Sequence, residues 1–110
     1  MKQFIVIYHA TPEALQQMAG MTDEQRNEGM KPWFAWKERL GDKLIDMGAP
    51  LFGGVQLNPD GTSQVSNKDV AGYSVIQAND MEEAKDLLKG HPHYGYGKGC
   101  NIEVHEVSPL

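Results

Sequence analysis

The stretch Gly90-His91-Pro92-His93-Tyr94-Gly95-Tyr96-Gly97-Lys98-Gly99 concentrates most of the chain's chemistry, with two histidines, two tyrosines and four glycines. Imidazole ordinarily titrates near neutral pH, so His91 and His93 are candidates for proton transfer as general base or acid. Pro92 between them stiffens the backbone and holds both rings at fixed angles. Tyr94 and Tyr96 add rings with an apolar body and a polar tip, suited to walling a small ligand and hydrogen-bonding its oxygen. Gly95, Gly97 and Gly99 alternate with these residues, and that much backbone freedom predicts a lid rather than a rigid connector. Lys98 supplies one cation. The plain structural alternative is a solvated loop, or a cationic histidine complementing a helix C-terminus.

Other candidates lie outside this stretch. His9 ends a strand-like segment, where it could orient a ligand or simply hydrogen-bond neighbouring backbone. Trp33 and Trp36 could stack on a flat substrate, although their helical spacing equally suits core packing. His105 sits on the polar side of the last strand. The His91-x-His93 pair could give two metal ligands, with His9 or Glu103 as a third. Catalytic zinc needs three protein ligands and an open position, and the spacing supplies no third, so no metal is expected. The lone Cys100 rules out an internal disulfide and adjoins no base; a small buried hydrophobe is its expected role.

These residues need a scaffold. At 110 residues the chain is expected to form one domain over 1–110. Net charge is −5 with the basic residues scattered, so no basic face is gathered for nucleic acid. No stretch approaches the roughly 20 apolar residues needed to cross a bilayer, and the N-terminus lacks a signal-peptide pattern, which predicts a cytoplasmic protein without membrane attachment. No Gly-x-Gly-x-x-Gly follows a strand and no phosphate loop is present, so no cofactor is expected.

Phe4–Tyr8 is apolar on both alternating faces and reads as a central strand. Thr11-Pro12-Glu13 starts a short helix ending near Gly20. Thr22 with Gln25 forms a capping box that starts a longer helix. Its pattern runs to Met47, with Trp33, Trp36, Leu40, Leu44 and Met47 on one face and a kink at Pro32. Gly48-Ala49-Pro50 stops it. Leu51–Leu57 reads as a second strand, Asn58-Pro59-Asp60-Gly61 as a turn within a polar loop, and Ala71–Ala78 as a third strand. Asn79 or Asp80 caps a helix through Lys89, and Asn101–Val107 alternates as the last strand. The order β-α-β-β-α-β is that of an α+β, ferredoxin-like fold: a four-stranded antiparallel sheet with two helices on one face. The first strand is apolar on its uncovered side too, which predicts a homodimer packed sheet to sheet.

In that order, Phe4-Ile5-Val6-Ile7-Tyr8-His9, Leu40-Gly41-Asp42-Lys43-Leu44, Gly48-Ala49-Pro50-Leu51 and Gly72-Tyr73-Ser74-Val75-Ile76 resemble the YCII-related (DGPF-like) family. Gly90-His91-Pro92 and Glu103-Val104 extend the likeness over nearly the whole chain. The resemblance implies a dimeric α+β barrel with a cleft near the dimer interface. For some relatives it also implies a His–Asp pair suspected of acid–base chemistry on small, sometimes aromatic molecules. That pair is not retained here: Pro32 stands at the histidine position and His91 at the acidic one. The Asp-Gly-Pro-Phe signature is absent as well.

Two functions are therefore expected as alternatives. The first is a cofactor-free enzyme of isomerase or lyase type, with His91 and His93 transferring protons, His9 orienting, and Trp33, Trp36, Tyr94 and Tyr96 lining the site. The second is a non-catalytic ligand-binding or partner-binding module. A histidine with a strongly shifted titration at a closed cavity separates the first from the second.

Overall fold

The structure, a computed structural model, describes residues 1–109. Strand β1 spans Lys2–His9, helix α1 Pro12–Ala19 and helix α2 Asp23–Leu40. Strand β2 (Leu44–Pro50), a short hairpin of β3 (Val55–Leu57) and β4 (Ser63–Val65), and strand β5 (Val70–Ala78) follow. Helix α3 (Met81–Leu87) and strand β6 (Ile102–Glu106) complete the chain. The main sheet has the order β2-β5-β1-β6 with every pairing antiparallel, the ferredoxin-like arrangement expected from the element order. No helix among the described residues is long and apolar enough to cross a membrane.

The helix starts follow from local chemistry. Thr11 Oγ1 accepts the Ala14 amide at 3.2 Å, with Pro12 at the first helical position. Thr22 and Gln25 exchange side-chain-to-backbone bonds at 2.9 and 3.1 Å, which satisfies two amides that would otherwise lack partners. Of the two candidate caps for α3, the structure uses Asp80, whose Oδ1 accepts the Glu83 amide at 2.8 Å. Helix α2 runs without interruption through Gly29 and Pro32.

Two boundaries differ from the sequence expectation. Helix α2 ends at Leu40, a 3-10 turn takes Gly41–Lys43, and Leu44–Pro50 is strand rather than helix. Leu44 and Met47 lie at helical spacing from Leu40, yet pairing with β5 wins, Leu44 opposite Ile76 and Ala49 opposite Tyr73. Gly48 therefore kinks a strand instead of stopping a helix. Its φ is +78°, and a Cβ there would lie 1.8 Å from the Tyr73 carbonyl oxygen, so only glycine fits. The expected strand 51–57 shrinks to β3, and the polar loop beyond it folds back as β4, with Val55 opposite Val65.

Phe4, Val6, Tyr8, Ile76 and Ala78 point to one face of the sheet and form the core with Trp36 and Leu40 of α2 and Ala84 of α3. The opposite face carries Ile5, Ile7, Tyr73 and Val75, all half-buried, beside exposed Asp46, Glu103 and His105.

Candidate functional site

Under the glycine-rich segment lies a cavity of about 160 Å³. Tyr8 of β1, Met47 and Gly48 of β2 and Gly72 of β5 form its floor; Met18 of α1 with Met30 and Trp33 of α2 form one wall. His93 and Tyr96 line part of the remaining side, which stays partly open to the surface, and the lining is almost wholly apolar. The segment carrying them is a 3-10 turn, Pro92–Tyr96, rather than an open loop. It packs down because Gly99, at φ +87°, brings its backbone against Thr11 at the start of α1, where a Cβ would lie 2.5 Å from the Thr11 methyl.

Hydrogen-bond roles along one buried chain follow from its ends. The His93 amide can only donate, and it meets His91 Nδ1 at 2.9 Å. That leaves Nε2 as the protonated nitrogen of a neutral His91, donating to the Tyr8 hydroxyl at 3.1 Å. At the other end the Met47 carbonyl can only accept, and Ser74 Oγ donates to it at 2.6 Å. Ser74 Oγ then accepts the Tyr8 proton at 2.7 Å. Tyr8, Ser74 and His91 are all buried. Burial pushes the Tyr8 hydroxyl up to about 12, and it stays protonated. Burial, followed by the nearby His93 and Arg39 charges, pushes His91 down to about 3.

His93 is placed differently. Its Nε2 donates to the His9 backbone carbonyl at 2.7 Å, which leaves Nδ1 as the acceptor of a neutral ring. Burial lowers its pKa, while the carbonyls of His9 and Asn101 work in the opposite direction by favouring the protonated ring. Tyr96 also keeps a free function. Trp33 Nε1 can only donate, and does so to the Tyr96 oxygen at 2.7 Å, so the Tyr96 O–H proton is not used in that bond.

The remaining candidates are not all brought to the cavity. Trp36 is in the core, 4% exposed, with Nε1 donating to the Leu87 carbonyl at 2.9 Å. Tyr94 is exposed and lines an outer groove together with Pro32, His91 and Pro92. Pro32 and His91 share that outer groove, and Tyr96 lines both it and the inner cavity. His9 contributes its carbonyl to His93, but its ring points elsewhere: Nδ1 donates to the Lys68 carbonyl at 2.8 Å. Glu103 lies 3.3 Å from His9 Nε2 but out of line for a hydrogen bond, so that buried nitrogen has none. The other Glu103 oxygen meets His105 Nε2 at 2.8 Å on the exposed sheet face. Among the described residues no three His, Cys, Asp or Glu side chains are grouped to hold a metal. Cys100 is buried.

Sequence reasoning passed over Tyr8, Ser74 and the methionines. Tyr8 and Ser74 had a readable signal, since strand alternation puts both on the core face, where a hydroxyl needs a partner. Met18, Met30 and Met47 come from three different elements and carried none.

No curated protein sequence matches the chain. Among solved structures it is similar to 5-chloro-2-hydroxyhydroquinone dehydrochlorinase (TftG) from Burkholderia phenoliruptrix AC1100, determined in complex with 2,5-dihydroxybenzoquinone. The two agree with a TM-score of 0.58 at 17% identity, over 96% of this chain and 93% of that one, which shows a shared fold. The family model of the YCII-related domain matches residues 1–108, and the chain belongs to that family.

Proposed function

We propose that this protein is a small cytoplasmic enzyme that takes a single-ring, uncharged molecule into the inner cavity and moves a proton on it, in isomerase- or lyase-like chemistry. The observation that carries this reading is a ring-sized apolar cavity with a buried histidine on its wall. An apolar cavity of about 150 Å³ holds one benzene ring, and this one is about 160 Å³. No Lys, Arg, Asp or Glu lines it, so a charged ligand would lose its hydration without a counter-charge. Three methionines and the rings of Tyr8, Trp33 and Tyr96 give soft, adaptable contacts to a flat ring.

In this reading His93 Nδ1 accepts a proton from a ring hydroxyl or an acidic ring carbon. Negative charge then grows on a ring oxygen, and the free Tyr96 O–H stabilises it. The electron pair left on the ring either moves within it, giving an isomer, or expels a leaving group. His93 returns the proton to product or water. TftG supports the size argument, because 2,5-dihydroxybenzoquinone is also a single six-membered ring. The same proposal takes the protein as a homodimer paired through the Ile5, Ile7, Tyr73 and Val75 face, which would leave apolar area in water if unpaired.

The test is an NMR titration with phenol, resorcinol and hydroquinone, all uncharged at neutral pH, using 2-naphthol as an oversized control, together with sedimentation. Saturable shifts of the Met18, Met30 and Met47 methyls by one-ring compounds alone are expected, on a particle of two chains. His93→Gln keeps a donor for the His9 carbonyl but loses the base, so it should still bind and should no longer exchange ring-bound deuterium for solvent protons. Binding without exchange in the wild-type protein would make it a ligand-binding module. Absence of binding would remove the cavity as the site, and a clean monomer would remove the sheet-to-sheet pairing.

A further inference from the structure

We infer that Ser74, Tyr8 and His91 form a one-way hydrogen-bond chain, running from the His93 backbone amide to the Met47 carbonyl, that positions His93 for proton transfer. This rests on the proposed role of His93. On this inference His91 is a positioning residue rather than a second base, because its nitrogens are both engaged: Nδ1 receives the His93 amide and Nε2 donates to Tyr8.

The chain is anchored on the sheet at both Tyr8 and Ser74. Strand β2 shifts register between Asp46 and Ala49, around Gly48. The Met47 carbonyl lies within that irregular stretch and accepts from the Ser74 side chain at 2.6 Å. At the other end His91 serves as the N-cap of the turn that carries His93, a role usually filled by Ser, Thr, Asp or Asn. An imidazole can cap only through an unprotonated nitrogen. The cap therefore works only while Nδ1 is bare, and the Tyr8 hydroxyl favours that tautomer by accepting from Nε2.

Packing restricts the ring further. Its centroid lies 4.4 Å from that of Trp36 and 4.7 Å from that of Trp33, both edge-on, and 5.0 Å from that of Tyr8. A ring flip that exchanged the two nitrogens would break two hydrogen bonds inside this aromatic enclosure. Placing the backbone of His93 within a fraction of an ångström matters for proton transfer, since misplacement by about 1 Å can cost on the order of 100-fold in rate.

The experiment is nitrogen-15 NMR of the histidine rings and amide hydrogen exchange on the whole protein, wild type against Ser74→Ala and Tyr8→Phe. In the wild type, His91 should show the Nε2–H tautomer and the His93 amide should be protected. In either variant with an intact thermal transition, the His93 amide should exchange at least tenfold faster, and the His93 titration should move up toward the ordinary histidine value. A merely space-filling role for Tyr8 would leave that titration unmoved, since Tyr8→Phe keeps the ring. Should Tyr8→Phe fail to fold, the milder Ser74→Ala decides alone. A wild-type His91 protonated on Nδ1, or unchanged His93 exchange and titration in the folded variants, would overturn the inference. Failure of one-ring compounds to bind, with the tautomer and protection found as stated, would instead remove only the ligand reading.

Discussion

Two histidine clusters in this protein use the same residue types for different ends. His91 is buried against Tyr8, which in turn bonds Ser74, whereas His105 lies on the open sheet face against Glu103. The His105–Glu103 contact is the shorter, 2.8 Å against 3.1 Å for His91–Tyr8, yet the longer one is the more constrained. In the core no water competes, and each group must donate or accept as its neighbours dictate. In the single chain the His105 and Glu103 side chains are 61% and 54% exposed, and there solvent can replace either partner. Distance alone therefore does not rank polar contacts; the dielectric around them does.

The strongest way to break that contrast is to remove the wall of the buried cluster. Trp36→Ala should cost about 3–5 kcal/mol in denaturant unfolding, because it opens a void beside His91 and leaves the Leu87 carbonyl with only the Arg39 guanidinium. A nearly neutral result would show that Trp36 is not core.

A pH series sharpens the comparison next. The fold holds His91 down at about 3, so between that value and about 6.5 the unfolded chain binds a proton that the native state refuses. This contribution is complete above about pH 6.5 and is lost as pH falls, with a steepest slope of about 1.4 kcal/mol per pH unit. Burial lowers His93 too, with the same sign. Carboxylates such as Glu83, held low chiefly by the Asn79 amide, add to acid loss as well. The informative quantity is therefore the difference in slope between wild type and His91→Gln, measured by chemical unfolding from pH 7 to pH 4. Equal slopes would mean that His91 is protonated alike in both states.

The smallest effect belongs to the surface. In the unpaired chain His105→Ala should change stability by less than about 0.5 kcal/mol, measured by the same unfolding curves at pH 7 and at a protein concentration low enough to keep the chain single. A loss above about 1 kcal/mol that grows with protein concentration is the result expected where a second copy covers this face, as the proposed pairing has it.

Much of the scaffold was legible because its signals are local. The Thr22–Gln25 capping box, Pro12 at a helix start and the alternation of Ile102 and Val104 with Glu103 and His105 each need only a few neighbouring residues. Leu44–Met47 was not legible in this way. Its apolar spacing continues that of α2, and only a free β5 edge offering ladder bonds decides for strand. The site was half legible. Residue types singled out His93, Trp33 and Tyr96, which do meet at the cavity, together with His9 and Trp36, which do not.

The order of elements, the family likeness and the presence of a glycine-jointed His/Tyr segment were settled by the chain of residues itself, since each depends on composition and spacing within short windows. Which of two neighbouring imidazoles keeps a usable nitrogen was decided only on folding. Residues 8, 47, 74 and 91 are remote in the chain, and only packing brings them within hydrogen-bonding distance in a space that excludes water. Donor and acceptor roles become fixed there because no solvent molecule can take the place of a missing partner.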